Sequence, residues 1–382
     1  MGDSQPAMAR LGAQSQQVLG LFFVPGGRWA AVTLLVLPGL IDAHVHLREP
    51  GGEHKEDVAS GTAAALAGGI TGVLDMPNNV PPITGGRQLA RKRALFEERA
   101  RCDYGLFLGA GEQTLPSTQD AAEAVGLKLY LTPTYGPLRL ESLGALLAIF
   151  RSWPAATPIA VHAEGTSMAI PILLAQLTGR RVHLCHVARA DEIALVRVAK
   201  ERGAPVTCEV TPHHLFLTRE DARALGALGQ MKPPLGGMED VEALWRNLDV
   251  VDLVASDHAP HTLAEKQGAD PPPGVPGVET MLPLMVTAVY EGRLSLERLV
   301  ELLHEGPQRV YGVRAPEATV EVETGGRFEI RAAALHTRCG WTPYEGRRVS
   351  ARVRRVVLRG RTVFEDGHVL GEPGSGRRLL PV

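Results

Sequence analysis

One pattern recurs eight times between residues 33 and 256: a short aliphatic or β-branched run, then an alanine- and leucine-rich stretch with helical spacing. The runs are Thr33–Ile41, Ile70–Met76, Tyr104–Leu108, Gly126–Leu131, Pro158–Val161, Arg181–His186, Pro205–Val210 and Val251–Ser256. Ala59–Ala67, Gln88–Arg99, Ala190–Arg202 and Asp240–Asn247 are the clearest helical stretches between them. Eight such units predict an α/β fold, a (β/α)8 barrel of the TIM type. An open doubly wound sheet is the alternative, but no glycine-rich phosphate loop follows the first run. The runs also end in chemistry: His44 and His46, Asn78, Lys128, His162, His186, Glu209 and Asp257. Barrel enzymes draw their active residues from these C-terminal strand ends. Past residue 318 short alternating strands, separated by glycine pairs, predict a small β appendage. The expected division is an unplaced segment 1–32, a catalytic barrel 33–318, and an appendage with its tail at 319–382.

Charge excludes some partners. Lys+Arg total 40 and Asp+Glu 42, for a net charge of −2. So even a balance gives no electrostatic reason to expect nucleic acid or an anionic membrane. No apolar run is long enough for a membrane-spanning helix. Cys102, Cys185, Cys208 and Cys339 form no CxxC pair, which favours a reducing, cytoplasmic setting. Val18–Val24 has the texture of a signal-peptide core, with Arg10 before it, or of an edge strand.

His44-Val45-His46 is the strongest local signal. Residues i and i+2 of a strand face the same way, so both imidazoles enter the barrel mouth and make half a metal site. His162, His186 and Asp257 close other strands and converge on them if the barrel closes. Lys128, in the apolar run GLKLYL, is either an ion-pair partner or an amine that captures carbon dioxide. The resulting carbamate is a two-oxygen ligand able to bridge two metals. Cys185 and Glu209 add a thiol and a carboxylate near the same mouth. Neighbouring strand residues face opposite ways, so Cys185 and His186 need a bulge for both to point inward; otherwise Cys185 is a buried apolar residue. Arg48 has the planar fork that suits a carboxylate, with Asn78 and His261 as further donors.

These residues lie in PGLIDAHVHLREPGG, DMPN, GLKLYL, VHAE, HLCHVA, CEVTPHHLFL, ASDHAPHT and PPPGVPGVETMLPL. The set resembles the dihydroorotase family of amidohydrolases, most of all the domain type carried by the animal multifunctional pyrimidine-synthesis chain. The resemblance runs from about Leu35 to Leu370. It implies cyclisation of N-carbamoyl-L-aspartate to L-dihydroorotate by a bridging hydroxide on a zinc pair. His44, His46, Lys128 and Asp257 would hold one zinc; Lys128 as N6-carboxylysine, His162 and His186 the second. Cys185 and Glu209, alongside His162, would support a third. Asp257 would be the general acid/base. Arg48, Asn78 and His261 would grip the substrate carboxylate, and Pro273 would offer a backbone contact. Thr134 and Tyr135 match the loop that closes over substrate, with tyrosine in place of the more usual phenylalanine. Lys232 stands where that pattern usually has arginine, keeping charge but losing the fork. The resemblance also implies a homodimer and a place in a larger chain with aspartate transcarbamylase. The competing readings are a hydantoinase or dihydropyrimidinase, against which Arg48 argues, an allantoinase-like enzyme, and a non-catalytic scaffold barrel.

Overall fold

The computed structural model describes residues 16–24, 28–112 and 114–382. Eight parallel strands follow one another around a barrel: β3 (Leu40–Val45), β4 (Ile70–Asp75), β5 (Asp103–Gly109), β6 (Gly126–Tyr130), β7 (Ile159–His162), β8 (Val182–Leu184), β9 (Val206–Val210) and β10 (Leu253–Val254). The seam between first and last closes just beyond β10, where the His46 amide donates to the His258 carbonyl at 2.8 Å. Each strand turns one face to the surrounding helices and the other to the axis. Leu127 and Leu129, Ile159 and Val161, and Val182 and Leu184 join the outer apolar layer. The alternate positions, among them Ile41, Leu74, Phe107 and Ala160, join a second cluster that Tyr311 shares. Room there is short: a Cβ on Gly126 would stand 2.9 Å from the Phe107 ring.

A six-stranded antiparallel sheet flanks the barrel in the order β1 (Gln16–Val24), β2 (Arg28–Pro38), β11 (Ala318–Glu329), β12 (Arg348–Leu358), β13 (Arg361–Glu365), β14 (His368–Val369). This revises the expectation in two places. The run Thr33–Ile41 is not one barrel strand. It divides at Pro38-Gly39, with β2 pairing β11 and β3 pairing β4. Gly39 allows the change of sheet, because a Cβ there would lie 2.5 Å from the Pro316 carbonyl oxygen. The small sheet is therefore built from both ends of the chain, and Val18–Val24 lies in its edge strand β1, paired with β2. Arg10, the other element of the signal-peptide reading, lies outside the described residues.

Two helices follow the first two barrel strands. α1 (Val58–Ala67) is capped by Asp57, whose carboxylate accepts from the Ser60 amide at 2.7 Å. α2 (Gly86–Arg99) carries Lys92 inward to Asp75, 2.5 Å away. Asp75 in turn accepts from the Leu47 amide at 2.7 Å, so α2 and β4 together brace the backbone between His46 and Arg48.

Candidate active site and metal centre

The strand ends deliver their polar side chains to one cleft. It is lined by His44, His46, Arg48, Asn78, Lys128, Tyr130, Thr134, Tyr135, His162, His186, Lys232, Asp257, Ala259, Pro273 and Gly274. Of the residues singled out from sequence, Cys185, Glu209 and His261 do not line it, although each touches residues that do.

His44 and His46 are arranged alike. His44 Nδ1 is 2.5 Å from Glu209 Oε1, and His46 Nδ1 is 2.6 Å from Asn78 Oδ1. Each Nδ1 is thus tied to an acceptor, which places a hydrogen there and turns Nε2 toward the cleft. Both Nε2 atoms face Asp257 Oδ1, at 3.3 Å for His44 and 3.1 Å for His46. An Nε2 lone pair set against that carboxylate oxygen repels it, so the position between them favours a proton or a metal cation. Burial alone would depress His44. Lys128 adds to that, yet the flanking Glu209 and Asp257 lift the ring to about 10. His46 is pushed down to about 3 by burial. Asp257 is held well below the usual carboxylate range: burial opposes this, and His44 and His46 overcome it. The site demands positive charge, and its donors fit a metal ion.

The second half of the site lies across the barrel. His162 Nδ1 and His186 Nε2 are 2.9 Å apart. Of their other nitrogens, His186 Nδ1 is buried without a hydrogen-bond partner among the described residues, and His162 Nε2 lies 3.3 Å from Glu164 Oε1. Burial, reinforced for His186 by the His162 ring, holds both below the usual imidazole range, so both rings are neutral and each carries one lone pair. Lys128 lies between the halves, fully buried, with Nζ 3.4 Å from His44 Nε2 and 2.9 Å from Cys185 Sγ.

No bulge interrupts the pairing of β8 at Cys185-His186. β8 stops at Leu184 and His186 adopts φ 37°. That left-handed turn lets both side chains face the axis. Arg48 (φ 63°) and Asp257 (φ 45°) use the same device, a strained conformation concentrated at the site. Cys185 and Glu209 lie close to His44, whereas the resemblance gave them His162 as companion; ligand atoms of Cys185, Glu209 and His44 all fall within 4.8 Å of one another.

Asn78 is engaged on both sides, by His46 and by the Tyr135 carbonyl, to which its Nδ2 donates at 3.3 Å. Arg48 Nε donates to the Pro260 carbonyl, and its Nη2 stands 3.1 Å from His261 Nε2. Three contributors were missed from sequence. His183 links Glu209 to Thr207, with 3.0 Å and 2.9 Å contacts. Lys55 reaches Tyr135 and His261. Lys266 gathers the carbonyls of Gln230, Pro272 and Gly274. The axial facing of position 183 followed from its two-residue spacing to Cys185, whereas nothing in the local pattern marked Lys55 or Lys266.

The amidohydrolase family model matches residues 35–316. The chain belongs to the amidohydrolase family. Within that family it is 51% identical over 90% of its length to the multifunctional protein CAD of Squalus acanthias, of which it spans 16%. It is 36% identical to the dihydroorotase of Pyrococcus furiosus, covering 91% of this chain and 85% of that one. Among solved amidohydrolase-like structures, the L-hydantoinase of Arthrobacter aurescens superposes with a TM-score of 0.83 at 24% identity, over 92% of this chain and 96% of its own. That likeness concerns the fold.

Proposed function

We propose that this chain is a dihydroorotase, interconverting N-carbamoyl-L-aspartate and L-dihydroorotate in pyrimidine synthesis. One observation carries the reading: a metal-fit set of donors and a buried arginine–histidine pair suited to a carboxylate open on, or abut, the same cleft. The relatives named dihydroorotase and CAD support it.

Zinc suits this mixture of imidazole and carboxylate. His44, His46, Lys128 and Asp257 would hold one ion, and His162, His186 and Lys128 the other. Lys128 would serve as N6-carboxylysine, formed when its amine attacks carbon dioxide and releases a proton. When bound, the metal pair supplies an activated water near neutral pH and polarises the ring carbonyl. Glu209 bonds His44 Nδ1 and so first serves to orient that ring; a third ion would draw on Cys185 and Glu209.

In ring opening the Asp257 carboxylate takes the proton of the attacking water and delivers it to the leaving amide nitrogen; ring closure reverses these transfers. Arg48 and His261 orient the substrate carboxylate, with Lys232 adding positive charge and the Pro273 backbone a further contact. Asn78 sets His46 and holds the lid segment Thr134-Tyr135, which excludes water. The buried free thiols suit a cytoplasmic enzyme. A homodimer, and linkage to aspartate transcarbamylase in a longer chain, complete the proposal. The direct test offers N-carbamoyl-L-aspartate to metal-replete protein. Ring closure consumes a proton and releases water, so L-dihydroorotate should accumulate more at lower pH. Absence of that product would count against the assignment.

A further inference from the structure

Lys55 belongs to no part of the chemistry described so far. It is 4% exposed and sits between the lid and the carboxylate-binding corner. Its ammonium has three donors and three acceptors: Tyr135 Oη at 3.1 Å, His261 Nδ1 at 3.1 Å and Glu265 Oε1 at 2.9 Å. An ammonium can only donate, so His261 Nδ1 must accept. The hydrogen of His261 then resides on Nε2, which is 3.1 Å from the Pro273 carbonyl, itself only an acceptor. Both contacts demand the same neutral tautomer. In that tautomer the 3.1 Å approach of Arg48 Nη2 to His261 Nε2 brings together two donors. Two donors converging at a buried point make a receptor for one anionic oxygen, with which the Nε2–H would bond in exchange for, or bifurcated with, the Pro273 carbonyl.

We infer that Lys55 is a positioning residue, which fixes His261 as the Nε2–H tautomer and latches Tyr135, so that Arg48 and His261 both donate to the substrate carboxylate. Lys55 touches no reacting atom. Its ammonium acts through His261 on one side and the lid on the other, and Glu265 anchors it from the solvent side. The kinetic consequence rests on the proposed dihydroorotase reading; the tautomer does not.

The test has a spectroscopic and a kinetic arm. Nitrogen-15 NMR of histidine-labelled, metal-replete protein, assigned through His261→Asn, should show His261 protonated on Nε2 and bare on Nδ1, without substrate. In Lys55→Met that signature should change to a mixture of tautomers, and Lys55→Arg should retain it. Losing one donor to a carboxylate should raise KM for L-dihydroorotate about tenfold, with a smaller change in kcat. A wild-type His261 protonated on Nδ1 overturns the inference even if Lys55→Met does not fold. So does a Lys55→Met protein with its tautomer and KM unchanged. Wild-type protein inert toward dihydroorotate but with His261 on Nε2–H would retire the enzymatic reading and leave the tautomer assignment standing.

Discussion

The chemistry of each site residue depends on what stands behind it. His44 and His46 present Nε2 because Glu209 and Asn78 hold their Nδ1 atoms. Asp257 stays ionised in a buried place because those two rings face it. Replacing it by asparagine keeps the shape and an oxygen donor but removes the base. For Asp257→Asn we expect kcat lower by about 10²–10⁴-fold with metal still bound, read by steady-state kinetics beside elemental analysis. Lys128 behaves differently. Lys128→Ala deletes the ligand shared by both halves, so bound metal should fall below the wild-type ratio; unchanged stoichiometry would contradict the bridging role. Nearly all of these residues were legible in the sequence, because strand periodicity aims i and i+2 alike and the runs end where barrels keep their chemistry. His183 and Lys55 were not singled out. Their roles arise from contacts to Glu209 and to His261, across 26 and 206 residues of sequence, that no local pattern encodes.

At the level of elements, the site rests on braces between strand and helix. α2 sends Lys92, fully buried, to Asp75 of β4, and Lys92 also donates to the Met76 carbonyl and to Asn79 Oδ1 at 2.6 and 2.9 Å. Burial pushes the lysine down and the aspartate up, but each is opposed by the other's charge. Lys92→Met leaves Asp75 buried and unpaired beneath the Leu47 amide. Breaking such a pair costs about 3–5 kcal/mol, which urea denaturation should detect as a lower midpoint with unchanged slope. Seven of the eight barrel strands were read from sequence to within two residues at each end; the first, β3, runs on to Val45, four residues past the expected Ile41. The division of Thr33–Ile41 between two sheets was not read, because apolar character continues through it. Its one mark was Pro38-Gly39, a pair with no hydrogen-bond donor on one residue and no side chain on the other.

Across the whole molecule, the small sheet is tied to the catalytic end of the barrel. Between β11 and β12 the chain makes an excursion that carries Trp341, whose indole donates to the His261 carbonyl at 2.7 Å. Lys266 lies 5.5 Å from the same ring while holding the loops that bear Gln230, Pro272 and Gly274. The flanking sheet thus supports the corner where the carboxylate would bind. Trp341→Phe keeps the packing but leaves that carbonyl unsatisfied, for an expected loss of about 1–3 kcal/mol in stability and a raised KM. The appendage was foreseen from residues 319 onward; its partner strands from the N-terminal end were not, since antiparallel pairing between the two ends of a chain leaves no short-range signature.

The central claim is that this cleft combines metal-assisted amide chemistry with recognition of a carboxylate. One preparation of metal-replete protein, offered L-dihydroorotate and dihydrouracil separately with ring opening followed in the ultraviolet, tests both halves together. The account predicts that dihydroorotate alone is opened, because Arg48 and His261 have no partner on dihydrouracil. Opening of dihydrouracil instead, or silence on both substrates with metal bound, would contradict it.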